Sequence, residues 1–242
     1  MHKIKRFTLL VLIILITAGI WAHANDNSES LNNGFQALFY HTVRIEESFP
    51  SLNPIATSLE EFGKALRQGK QAGEANLMIG LIYQYLNRPG TALGYYLSFA
   101  HLHPEESWIN SLIGDLYFEM GRNEEAREFY EKALRWQEEG YSQSHFGLGR
   151  IALEQDDLLQ AKHHFQLALE NSENFFDARL ALGRTLLHLE EYQKAIEVLE
   201  LAQLQAPRQA AVHYYLSLSY EGEGREEQAR HALKRYQELT AP

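Results

Sequence analysis

The sequence has 242 residues, 22 Lys and Arg against 32 Asp and Glu, a formal net charge of −10 and no cysteine. Such an acidic chain repels phosphate backbones and anionic headgroups, and no basic patch offsets this, so nucleic acid and lipid surfaces are excluded as partners. An apolar content of 45% excludes wholesale disorder, and the lack of cysteine removes disulfides, thiol catalysis and Cys-ligated metals.

The chain starts with Lys3, Lys5 and Arg6, runs almost wholly apolar over residues 7–20, and reaches Ala22 and Ala24 at the −3 and −1 positions of a cut after residue 24. A basic start, a short apolar stretch and an A-x-A end predict a secretory signal peptide over 1–24. The apolar stretch is shorter than the roughly 20 residues that span a bilayer core. The expected product is therefore exported, periplasmic in a Gram-negative host, with no stable anchor after cleavage. An uncleaved segment holding the chain at the inner membrane is the alternative. Removing 1–24 takes away three cations, leaving 19 against 32 and a net charge of about −13. Residues 25–34 are polar and turn-rich, and are predicted to form a flexible leader.

Residues 35–70 predict a degenerate N-terminal helix pair: one helix over 35–49, a break at 50–54 and a second over 58–67. Beyond it the chain becomes periodic. Gly80, Gly114, Gly149, Gly183 and Ser217 are spaced 34, 35, 34 and 34 residues apart, and twelve residues after each stands Ala92, Ala126, Ala161, Ala195 or Ala229. Four residues further on comes a large apolar side chain: Tyr96, Tyr130, Phe165, Leu199, Leu233. Apolar residues recur at helical intervals inside each unit, while Asn87, Gly121 and Gly224 mark turns, because Gly and Asn tolerate the left-handed conformation. The small residues are expected where two helices approach closely. A single hairpin cannot cover its own apolar face, so neighbours must stack.

A period of 34 with these residues resembles the tetratricopeptide (TPR) repeat family. The resemblance implies an all-α, right-handed α-solenoid of stacked helix-turn-helix repeats. Five repeats fill residues 71–239, at about 73–106, 107–141, 142–175, 176–209 and 210–239. It also implies a non-catalytic scaffold of the cell envelope that binds a partner protein or peptide along a concave groove lined by the first helix of each repeat. On that register the groove candidates are Leu81, Tyr85, Trp108, Asp115, Phe118, Phe146, Arg150, Arg184, His188 and Tyr214. Arg150 and Arg184 stand one repeat apart, and arginine with aromatic neighbours suits acidic, apolar peptides. The other reading of these arginines is pairing with Glu154 or Asp115. The Lys/Asn pattern of chaperone-docking members is absent: the corresponding positions hold Met78, Leu112, Gly147, Ala181 and Tyr215. A polysaccharide- or peptidoglycan-associated module using aromatics such as Trp108, and self-assembly through the solenoid ends, are the alternative functions.

No catalytic residue, cofactor or metal is expected. His101 and His103 are two apart and His163 and His164 adjacent, so neither pair aligns on one helix face as i, i+4 histidines do. Consecutive acids such as Asp156–Asp157 diverge by about 100° on a helix and do not converge on one substrate. Motifs for a nucleophile elbow, a phosphate loop or a zinc protease are missing.

Overall fold

A computed structural model describes residues 54–69, 71–135 and 141–241. The expected signal peptide, the leader and the helix at 35–49 lie outside the described residues. Those residues form eleven α-helices and no strand: α1 (Pro54–Gln68), α2 (Ala72–Tyr85), α3 (Pro89–Leu102), α4 (Ile109–Glu119), α5 (Asn123–Leu134), α6 (Tyr141–Glu154), α7 (Leu158–Glu170), α8 (Phe176–His188), α9 (Tyr192–Gln205), α10 (Ala210–Gly222) and α11 (Glu226–Thr240). None of them is long and apolar enough to cross a membrane. The chain divides into two compact units, Met1–Met120 and Gly121–Pro242.

In the first unit, α1 packs on α2, α2 on α3 and α3 on α4. Helix α1 begins at Pro54, four residues before its expected start at Ser58, because proline is tolerated in a first turn where its missing N–H costs nothing. Ser58, Phe62 and Ala65 fall on one face of α1 and are fully buried. Helix α2 is buried on every side, from Gly73 through Ile82 with only Glu74 partly exposed. An all-round apolar helix needs such a site.

The close approaches follow the predicted spacing, with one refinement. A Cβ at Gly80 would run into the ring of Tyr96, one at Gly149 would lie 2.5 Å from the ring of Phe165, and one at Gly183 would lie 2.5 Å from Leu199. The small residue therefore makes room for the large side chain sixteen residues later rather than for the facing backbone. Each large residue sits between small or apolar neighbours on its own helix: Ala161, Phe165 and Ala168 in α7, Ala195, Leu199 and Ala202 in α9, all fully buried. The pattern relaxes at the last helix. Leu233 is 40% exposed and Ala229 half-buried, with Ala232 the buried residue of α11. Helix α11 packs chiefly on α10, and its other face is polar.

Left-handed residues close the turns with the same period. Asn87, Gly121, Asp156, Glu190 and Gly224 all have φ between 58° and 77°, each seven residues after the small position. The next residue's N–H reaches back to Tyr83, Ala152, Leu186 or Tyr220, from Arg88, Asp157, Glu191 and Arg225, at 2.8–2.9 Å. This six-to-one bond satisfies carbonyls that a helix end leaves open. Three-residue links of this kind fold successive helices back on one another.

Candidate functional site

Helices α6, α8 and α10 each bury one stripe and leave another partly exposed. The expected groove residues of the first unit differ in exposure. Leu81 is fully buried and Leu77 is 2% exposed, so both are core residues of α2 and present no surface; this corrects the expectation for Leu81. Gln84 accepts the hydroxyl hydrogen of buried Tyr96 at 2.7 Å. Trp108, just ahead of α4, packs against Phe99 with ring centroids 5.8 Å apart, and its indole N–H donates to Glu106 at 2.5 Å. That side chain fastens the α3–α4 turn. Tyr85, Asp115 and Phe118 are half-buried on α2 and α4.

In the second unit, α6 carries Phe146 and Arg150, α8 carries Arg184 and His188, and α10 carries Tyr214. The Phe146 ring stands 5.8 Å from Phe165 and 4.9 Å from Phe175, so it roots in the core while keeping an exposed edge. The guanidinium of Arg150 lies 5.7 Å from the Phe146 ring centroid, within cation–π reach. Arg184, at the equivalent position of α8, has its Nε buried without a hydrogen-bond partner. Leu153, Leu180 and Leu187 are partly buried against the same core and give the stripe an apolar floor. His188 is exposed at the end of α8. Tyr214 is 40% exposed and gathers with Tyr215 and Tyr236, at 5.5 and 5.3 Å. Glu154 accepts from the Asn123 side chain at 2.6 Å. Helices α6 and α8 therefore bring an arginine with apolar neighbours to the same register in successive repeats. A buried guanidinium N–H without a partner is costly, and a carboxylate is the group that matches it.

Among the described residues no group of three or more His, Asp or Glu side chains is placed to hold a metal. The consecutive acids serve turns: Asp157 caps α7 by accepting the Gln160 N–H at 3.0 Å. One arrangement escaped the sequence reading. His164 turns from its neighbour His163 toward His145 of α6, with the two Nδ1 atoms 3.0 Å apart. Burial, then the charges of His164 and His163, hold His145 down at about 4, and burial followed by His163 and Arg127 lowers His164 as well. The partner of each histidine lies nineteen residues away, in the facing helix of the hairpin, so spacing within a helix could not reveal it.

Two tetratricopeptide repeat models match the chain, over residues 105–174 and 152–218. The Tetratricopeptide repeat protein 1 of Schizosaccharomyces pombe is 28% identical over 173 residues, covering 65% of this chain and 16% of the relative's own length. The chain thus spans about a sixth of that relative. Among solved structures, YrrB, described as a TPR protein with an unusual peptide-binding site, has a TM-score of 0.61 at 22% identity, over 75% of this chain and 93% of that one. MamA has a TM-score of 0.60 at 21% identity, over 70% and 92%. The Cut9–Hcn1 hetero-tetramer of the APC/C has a TM-score of 0.68 at 19% identity, over 96% of this chain and 44% of that one. At these identities the structural likeness is one of fold. The matched models, the relative and the helical hairpins agree: residues 105–218 are built of tetratricopeptide repeats.

Proposed function

We propose that the protein is a non-catalytic scaffold of the cell envelope that holds an acidic, apolar segment of a partner protein on the α6–α8–α10 stripe of its second unit. The observation that carries this reading is the buried, unpartnered Nε of Arg184 beside the apolar floor of Leu180 and Leu187. Arg150 stands at the equivalent position one helix pair earlier, 5.7 Å from the Phe146 ring centroid. A partner carboxylate would complete the Arg184 hydrogen bonds, and its apolar residues would cover Phe146 and Tyr214, the kind of rigid aromatic surface on which binding energy concentrates. The peptide-binding site named for YrrB and the complex named for Cut9–Hcn1 belong to those proteins; they lend support as examples of what this fold can hold. Export rests on the basic start, the apolar run and the alanine pair of residues 1–24.

The test is capture of partner from the envelope fraction by the full chain and by Arg150→Glu with Arg184→Glu. The double charge reversal is expected to lower capture by about tenfold or more, since each arginine removed from a carboxylate is replaced by a repelling charge. Its circular dichroism should match that of the unaltered chain, because both residues are only half-buried and neither belongs to the apolar core. Undiminished capture would move the site elsewhere. N-terminal sequencing of the chain in that fraction reads Asn25 on this proposal and Met1 on the anchored alternative.

A further inference from the structure

The imidazoles of α6 and α7 form a cluster that the binding stripe does not use. His145 is 7% exposed, and its ring lies 5.3 Å from that of His164 at an interplanar angle of 28°. The ring of Tyr141 meets His145 edge-on at 4.4 Å. His163 stands beside His164, ring centroids 5.6 Å apart. Helix α5 contributes Arg127, which donates to Gln155 at 2.8 Å and lies 4.0 Å from Glu124. His164 and His163 act on the His145 ring and His163 and Arg127 on the His164 ring, and no carboxylate is among these charges.

A 3.0 Å separation between two Nδ1 atoms requires opposite tautomers, one ring carrying its hydrogen on Nδ1 and the other on Nε2. One added proton can be accommodated on a far Nε2, leaving an imidazolium that still donates to its neutral neighbour. A second proton cannot: it sets two N–H groups and two positive charges face to face, with Arg127 and His163 close by and no carboxylate among the described residues lowering the cost at either ring.

We infer that the His145–His164 pair is an acid-sensitive latch, fastening α6 to α7 while it shares one N–H···N bond and releasing the hairpin when both rings are protonated. The unfolded chain takes up these protons near pH 6.5, whereas the folded pair resists them, His145 down to about 4. Between those limits the unfolded state binds more protons, so stability of the hairpin falls as pH falls. The consequence for partner binding rests on the proposed function, because α6 also carries Phe146 and Arg150. The latch itself does not depend on any partner.

Hydrogen exchange of the full chain, without a partner and corrected for the intrinsic effect of pH, reads the latch directly. Between pH 7 and pH 5, amide protection in α6 and α7 is expected to drop about tenfold or more, while α10 and α11 keep theirs. In His145→Gln with His164→Gln the drop should disappear. The same drop in that variant would overturn the inference. Should the variant fail to fold, NMR titration of the imidazoles in the unaltered chain decides: both rings titrating near 6.5 would be equally fatal, and titration of both below that value is the expected result.

Discussion

Gly149→Leu is expected to destabilise the second unit by about 3 kcal/mol or more, toward the top of the range for overpacking. A Cβ at this position would meet the fully buried ring of Phe165 at 2.5 Å. Helix α6 cannot retreat from α7 to make room, because Gly147 presses its other side against the ring of Tyr130 on α5. The added side chain is thus trapped between two aromatic walls that are themselves fully buried. For a chain of this size such a loss corresponds to a fall in melting temperature of roughly 6–12 °C. Thermal unfolding followed by circular dichroism checks it, and an unshifted transition would mean that the register of the repeats is wrong.

Tyr96→Ala is expected to cost the first unit about 3–5 kcal/mol, the usual toll for emptying a buried aromatic site. The ring is fully buried against Gly80, a position with no side chain of its own to fill the space. Its hydroxyl also supplies Gln84, so the truncation removes a hydrogen bond along with the ring. In repeat arrays stability is close to a sum of local terms, so the loss should stay near its origin. Amide exchange is the appropriate readout: protection should fall across α2 and α3 and persist in α10 and α11. Loss of protection throughout the chain would show a cooperativity that nearest-neighbour packing does not supply.

Much of the fold was legible because the period writes the same packing problem five times. A glycine facing a large side chain sixteen residues later needs no alignment to be found, since Gly80 and Tyr96, Gly149 and Phe165, and Gly183 and Leu199 repeat one spacing. The turns were only partly legible. Gly121, Gly224 and Asn87 announced themselves by residue type, but Asp156 and Glu190 take the same left-handed conformation without a residue that favours it. Their place in the period, seven residues after Gly149 and Gly183, was the available signal.

The binding face was read less well, and for a physical reason. Register assigns a residue to one side of a helix but does not say whether another element covers that side. Leu81 and Arg150 hold the same repeat position, yet α2 is apolar on every side and buried, while α6 keeps a half-buried arginine there. The unbroken run Asn76-Leu77-Met78-Ile79-Gly80-Leu81-Ile82 was the sign that α2 has no free face. Trp108 looked like a groove residue by spacing alone; its Phe99 and Glu106 contacts come from the turn that precedes α4. The His145–His164 contact joins two helices, and only the folded hairpin brings the rings together.

The most direct test of the small-to-large pairing is a double-mutant cycle on Gly149→Ala and Phe165→Leu, with unfolding free energies measured for all four chains. Leucine is smaller than phenylalanine and lacks the rigid ring that a Cβ at position 149 would meet at 2.5 Å. Each single change should destabilise, and the leucine should relieve the crowding that alanine introduces, giving a favourable coupling of about 1 kcal/mol or more. Strict additivity of the two losses would contradict the account.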